Sequence, residues 1–304
     1  MTMYRTKTKR NGSKNYQIFD RSFHSKAMVM LQLENDMRGA IGREEFVLCY
    51  QPIISLKNFR ISGFEALIRW HHPERGLVSP TQFIPLAEET GLINAIGYWT
   101  LREACRQVKS WQKQFSGKPS LTISVNLSTK QFTQADLIDQ IEKVLQLTEL
   151  ESRFLKLEIT ESVLVENADR VTAMLVKMQQ LGVRLSLDDF GTGYSSLSYM
   201  HSFPIDTLKI DRSFVTDVDT ELGKIEIIRT VVGLAWNLGM DTVAEGVETI
   251  TQMYQLKSLK CNFAQGYYFS RPLDAVAAEA LIAKEREYFS RNEKADGLEF
   301  WTKR

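Results

Sequence analysis

Leu185-Ser186-Leu187-Asp188-Asp189-Phe190-Gly191-Thr192-Gly193-Tyr194-Ser195-Ser196 is the stretch that decides the fold. Residues 183–187 are apolar apart from Arg184 and Ser186 and read as a short buried strand. The strand ends in two adjacent acids, Asp188 and Asp189, followed by Gly191-Thr192-Gly193, a loop able to approach a ligand closely. Two acids at the end of a buried strand cost several kcal/mol of desolvation unless something neutralises them. A metal ion is the simplest neutraliser. For a lone Asp-Asp pair the competing reading is a cap on the following turn. The other strand ends decide between the two.

Outward from this stretch, strands and helices alternate over most of the chain. Strands are predicted at 46–54 and 61–70, joined by a turn at Leu56-Lys57-Asn58, and then at 121–127, 155–160, 183–188, 207–210, 242–245 and 263–269. Helices are predicted at 81–90, 98–115, around 137–145, 171–181, 225–238, 250–259 and 273–289. In the second of these, Leu101, Ala104, Cys105, Val108, Trp111 and Phe115 keep one face apolar. Gly182 and Gly239 stop two others. Eight strands separated mostly by helices, with no repeated glycine-rich phosphate loop, predict an α/β fold of the TIM type, a (β/α)8 barrel. A doubly wound open sheet is the alternative. Residues 291–304 are polar except Leu298, Phe300 and Trp301 and read as a tail docked by its aromatics.

Bulk composition excludes several classes. The 304 residues are 43% hydrophobic and 25% charged with a net charge of +1, which argues against a dedicated nucleic-acid binder. Cys49, Cys105 and Cys261 lie far apart, so neither a disulfide framework nor a zinc site is predicted, and a reducing, cytoplasmic setting fits. No apolar run approaches the roughly 18 residues needed to cross a bilayer, and no signal peptide opens the chain.

In a barrel of this kind, chemistry sits at the C-terminal ends of the strands. Those ends carry Glu65, Asn126, Glu158, Asp188 with Asp189, Lys209, Glu245 and Gln265. Glu158 alternates with Leu157 and Ile159, and Asp188 with Leu185 and Leu187, so parity separates the acids from the apolar set. Each residue alone reads equally well as a helix cap or surface charge; their coincidence at one rim does not. Oxygen ligands without His or Cys select Mg²⁺ or Mn²⁺ over zinc. Four or five acids exceed the need of one ion, and two ions roughly 3.5–4 Å apart would balance them. Lys209 could lower the pKa of a water, accept its proton or balance phosphate charge. Two chemistries fit: two-metal phosphodiester hydrolysis, or proton abstraction beside a carboxylate as in metal-dependent lyases and racemases. Gln51 and Arg69 favour the first, since Arg suits bidentate phosphate contact.

The motifs resemble one family. Glu65-Ala66-Leu67-Ile68-Arg69-Trp70 is similar to the signature of EAL domains, the cyclic di-GMP phosphodiesterases. The match continues through Tyr50-Gln51-Pro52-Ile53, Val125-Asn126-Leu127-Ser128, Glu158-Ile159-Thr160-Glu161-Ser162 and the opening stretch, then Leu208-Lys209-Ile210-Asp211, Ala244-Glu245-Gly246-Val247-Glu248 and Gln265-Gly266-Tyr267. The resemblance implies a barrel with an antiparallel first strand and hydrolysis of cyclic di-GMP to linear 5′-pGpG with two Mg²⁺ or Mn²⁺. It implies Glu65, Asn126, Glu158, Asp188, Asp189 and Glu245 as metal ligands, and Lys209 as the assistant of the attacking water. Gln51 and Arg69 would contact substrate. Glu161, Asp211, Glu248 and Gln265 would support the site, with Glu161 anchoring the loop after Asp189. It also implies a homodimer. Some family members only bind the nucleotide, and a silent receptor is the alternative; the intact residue set favours the enzyme. His71 and His72 lie outside the matched set and read as rim residues or as residues behind the ligands.

The opening of the chain resembles a different family. Residues 1–20 are similar to the last helix and strand of a diguanylate cyclase (GGDEF) domain, and a helix at 27–43 to the connector that precedes an EAL domain. The expected organisation is an extension at 1–39, an EAL barrel at 40–287 and a tail at 288–304, forming the C-terminal part of a longer tandem protein with upstream GGDEF or sensor domains.

Overall fold

The computed structural model describes residues 21–115, 121–165, 168–191, 203–218, 222–292 and 297–302. Two antiparallel strands open the sheet, β1 (Phe46–Ser55) and β2 (Ile61–His72), paired from Phe46↔Trp70 through Gln51↔Glu65 to Ile54↔Ile61. A short strand β3 (Gly76–Val78) folds back on the far end of β2. Then follow β4 (Thr122–Asn126), β5 (Leu155–Thr160), β6 (Arg184–Phe190), β7 (Thr207–Ile210), β8 (Asp241–Ala244) and β9 (Phe263–Ala264). The sheet runs β1-β9-β8-β7-β6-β5-β4-β2-β3, and the β1–β2 pairing closes it. β1 is antiparallel to both neighbours, while the pairings from β2 through β4 to β9 are parallel. This is the α/β barrel with an inverted first strand.

The helices are α1 (Arg21–Ala40), α2 (Pro80–Thr90), α3 (Ile93–Gln114), α4 (Leu137–Thr148), α5 (Glu161–Val165) and α6 (Ala168–Gln180). They continue with α7 (Arg212–Val215), α8 (Leu222–Asn237), α9 (Ile250–Ser258), α10 (Ala275–Arg291) and α11 (Leu298–Thr302). Apolar stripes such as Leu101, Ala104, Cys105, Val108 and Trp111 of α3 close on the outward residues of the strands and make the main core. A second core lies where Leu33, Met37 and Ala40 of α1 meet Phe46, Trp70, Phe83 and Ile96. The tail docks through α11: Trp301 is buried, donates its indole N–H to the Phe59 carbonyl (2.8 Å) and meets Phe269 edge-on.

Four expectations need correction. The last strand is two residues long rather than spanning 263–269. Gly266 turns the chain out of the sheet, so close to Val247 that a Cβ would lie 2.1 Å from the Val247 carbonyl oxygen. β2 runs past 70 to His72 and recruits β3, a strand too short to register as a period-2 pattern. α3 begins at Ile93, not 98, with Gly97 inside the helix, where a Cβ would meet the Gln131 side chain. The N-terminal helix runs from Arg21 to Ala40 rather than 27–43, and residues 1–20, expected to resemble a helix and strand of a GGDEF domain, lie outside the described residues.

Candidate active site

The acids and the lysine reach one interior because their strands are in register. Gln51 faces Glu65 across β1 and β2, Glu65 pairs with Ser124, Asn126 with Glu158, Glu158 with Ser186, and Thr160 with Asp188. Past the strand ends the ladder continues by single bonds: Glu245 N–H donates to Ile210 O (3.0 Å) and Gln265 N–H to Ala244 O (2.8 Å). At the end of β6 the pairing with β7 breaks register between Leu187 and Phe190, and Asp189 takes a left-handed φ of 54°. That conformation is uncommon for a residue with a Cβ and turns Asp188 and Asp189 in different directions. Glu65 differs from its expected place, since it lies inside β2 rather than at its end. It still reaches the rim because the pairing of β2 with β4 stops one residue later, at Ala66.

The Lys209 ammonium is the centre of the site. It lies 2.6 Å from Glu158 Oε2, 2.6 Å from Glu245 Oε1, 3.2 Å from Asp188 Oδ2 and 3.8 Å from Glu65 Oε2, with 2% of its side chain exposed. Glu65 is held further by Asn126 Nδ2–H (2.8 Å to Oε1) and Gln265 Nε2–H (2.6 Å to Oε2). Gln265 also donates to Gln51 Oε1 (2.9 Å), and Gln51 Nε2–H to the Ser270 carbonyl (3.1 Å). Ser270 is a partner that no side-chain motif could announce, because its backbone does the accepting.

Four carboxylates around one cation cannot all ionise cheaply in the interior. Burial pushes the Glu158 carboxyl up to about 8 and the Glu245 carboxyl up to about 7, against the pull of Lys209. Burial acts on Glu65 too, but Lys209 and the hydrogen bonds from Gln265 and Asn126 outweigh it and hold Glu65 below its ordinary value. Burial and the neighbouring Asp188 and Asp211 raise Asp189. Burial also opposes the charge on Lys209, yet Glu158, Glu245, Glu65 and Asp188 together keep it well above the usual lysine range. With those four acids around it, Lys209 is held as a cation. Among the described residues no three of His, Cys, Asp and Glu converge as a preformed chelate, because the ammonium stands between the acids.

Other expected site residues lie further out. Arg69 sits on the same face of β2 as Glu65, four residues on, and donates from Nη1 to the Ile68 carbonyl (2.9 Å). Asp211 caps α7, accepting from Ser213 N–H (3.0 Å). Glu161 opens α5 with a buried carboxylate that has no hydrogen-bond partner among the described residues; of the loop it was expected to anchor, 190–196, residues 192–196 lie outside them. Glu248 is exposed, and its backbone N–H donates to Gln252 Oε1 (2.8 Å). Of the two places expected for His72, the rim is excluded: it is buried against Asp36 of α1.

The model of the EAL domain matches residues 34–272. The cyclic di-GMP phosphodiesterase NbdA of Pseudomonas aeruginosa is 40% identical over 275 residues, 90% of this chain and 35% of the relative. The bifunctional diguanylate cyclase/cyclic di-GMP phosphodiesterase MucR of the same organism is 42% identical over 281 residues, 92% of this chain and 40% of the relative. The chain thus spans 35–40% of the length of these two curated relatives. Among solved structures, the PaMucR phosphodiesterase in complex with c-di-GMP shares 44% identity at a TM-score of 0.77, covering 81% of this chain and 99% of that one. The EAL domain of Mycobacterium smegmatis DcpA shares 33% identity at a TM-score of 0.66, covering 78% and 96%. The closed barrel, the ring of acids and the match across residues 34–272 lead to one conclusion: the chain belongs to the EAL domain family.

Proposed function

We propose that this chain is a cyclic di-GMP phosphodiesterase that uses divalent metal to yield linear 5′-pGpG. The observation that carries the reading is the convergence of Glu65, Glu158, Asp188 and Glu245 on the single Lys209 ammonium. Four acids against one base leave an excess of negative charge that burial makes costly, which is the condition for binding hard cations. Glu65, Asn126, Glu158, Asp188, Asp189 and Glu245 are all oxygen donors and fit two Mg²⁺ or Mn²⁺. When bound, such ions activate water and neutralise charge on a phosphodiester oxygen. In the reaction a water oxygen bonds to phosphorus, the bond from phosphorus to the ribose 3′ oxygen breaks, and that oxygen takes a proton.

The chain's own residues do the rest. Gln265 and Asn126 orient Glu65, and Gln51 is fixed by Gln265 and Ser270 so that its amide presents a constant face to substrate. Arg69 supplies a cation on the same face of β2, placed to grip a phosphate. Lys209 keeps the acids together and balances the charge of the incoming phosphate. Two further expectations extend the proposal: assembly as a homodimer, and attachment to an upstream GGDEF domain. The second is supported by the 42% identity to MucR, of which this chain covers only 40%. Among the described residues no helix is long and apolar enough to cross a membrane.

The test is incubation with cyclic di-GMP and Mg²⁺ or Mn²⁺, with a chelator control, followed by chromatography for 5′-pGpG. Metal-dependent product supports the reading. Tight binding without product points to a nucleotide receptor, and neither binding nor product would return the lyase alternative.

A further inference from the structure

β2 outruns the barrel. Its pairing with β4 ends at Ala66, and the six residues 67–72 project beyond the rim, supported by β1 and β3. Odd and even positions of this overhang face opposite sides. Arg69 shares its face with Glu65, about 13 Å further along at strand rise. Trp70 and His72 face the other way, into the core that α1 and α2 cover. Both are tied there by hydrogen bonds as well as packing. Trp70 is fully buried against Phe46, Phe83 and His72, and its indole N–H donates to Glu45 Oε2 (2.9 Å). His72 Nδ1 accepts from the backbone N–H of Glu74 (3.1 Å) and Arg75 (3.2 Å). A neutral ring then carries its proton on Nε2, which donates to Asp36 Oδ2 of α1 (3.1 Å). Arg43 completes the strap by bonding both Glu45 Oε1 and the Asp36 carbonyl, at 2.5 Å each.

We propose that Asp36 and His72 are positioning residues for substrate: the strap they form from α1 to the β2 overhang sets where Arg69 stands relative to Glu65. This rests on the phosphodiesterase reading and deepens it. Neither residue touches the acid ring, so neither acts on the chemistry. What they determine is the angle at which a projecting strand, unsupported by β4, carries its one cation. Strands twist more in narrow ribbons than within a wide sheet, and the contacts of Trp70 and His72 with the α1 side are what fix the twist of this overhang. α1 is on this account a working part of the substrate site.

The experiment uses the whole chain and steady-state hydrolysis of cyclic di-GMP. Asp36→Ala and His72→Asn, the second keeping the acceptor for Glu74 and Arg75 but withdrawing the donor from Asp36, are expected to raise KM five- to twentyfold with kcat within twofold. His72→Gln, whose amide can still reach Asp36, is expected to stay within threefold of the parent. Asp36→Ala added to Arg69→Ala is expected to lower kcat/KM no further than Arg69→Ala alone. A purely structural strap would multiply the two losses, lower kcat together with kcat/KM, or leave KM unmoved; each of these overturns the proposal while leaving the phosphodiesterase intact. A parent chain that neither binds nor hydrolyses cyclic di-GMP overturns both.

Discussion

Replacing Lys209 with Met tests whether the acid ring is held together by charge. Met fills most of the volume of the lysine stem and removes the ammonium that touches Glu158 and Glu245 at 2.6 Å and Asp188 at 3.2 Å. Breaking a buried pair by removing one partner costs about 3–5 kcal/mol, because the other charge is left uncompensated. The acids have an escape, which is to take up protons, and the loss must therefore depend on pH. Near pH 6, Glu158 and Glu245, already raised to about 8 and about 7 beside Lys209, are protonated in the variant and the cost is small. Near pH 9 they must ionise or hold protons against the solvent, and the full cost applies. At about 2 °C per kcal/mol for a chain of this size, the expected fall in Tm is roughly 6–10 °C at pH 9. Thermal unfolding followed by circular dichroism in a chelating buffer measures it. Added Mn²⁺ is expected to restore part of the loss and none of the hydrolysis. An equal fall at pH 6 and pH 9 would refute the reasoning, since only a packing defect ignores protonation.

Three further outcomes follow from the same geometry. In the metal-free parent the folded state keeps protons on Glu158, Glu245 and Asp189 that the unfolded chain releases near its ordinary carboxylate values. Stability therefore falls as pH climbs from about 5 to about 8, whereas Glu65, held low, contributes stability that is lost only as pH drops below its ordinary value. Tm measured in chelator at pH 5.5 and 8.5 should be lower at the higher pH, and a steady rise would contradict the burial argument. Glu158→Gln removes a charge that burial disfavours while keeping an oxygen for Lys209, so metal-free Tm at pH 8.5 should hold or rise as hydrolysis disappears; a large drop would show the carboxylate to be a net stabiliser. Trp301→Ala empties a buried site and orphans the Phe59 carbonyl, costing about 3–5 kcal/mol by denaturant unfolding with little change in kcat, because the Trp301 ring meets Phe269 and Phe300 and its hydrogen bond is to Phe59, none of them an acid of the ring.

Much of the site was legible because parity survives in a parallel barrel: Glu158 between Leu157 and Ile159 could face only the interior if its neighbours faced the helices. The inversion of β1 was not legible from periodicity, since a short connection at 56–60 fits any hairpin; only the motif resemblance implied it. The strap was missed for a related reason. His72 looks like a rim residue while β2 is taken to end at Trp70, and becomes an interior residue once the strand is known to continue and to be covered from behind by α1. What hides such features is that they depend on contacts between segments far apart in sequence, Asp36 with His72 or Gln51 with Gln265, whose residue types have ordinary surface readings when taken alone. The same dependence explains why Lys209 could not be assigned a single role from the chain. A lysine at a strand end can serve as base, charge balance or cap, and its choice among them is made by the four carboxylates that other strands deliver. As those acids stand, they hold it charged, and it can act as a base only to the extent that some other cation relieves them of it.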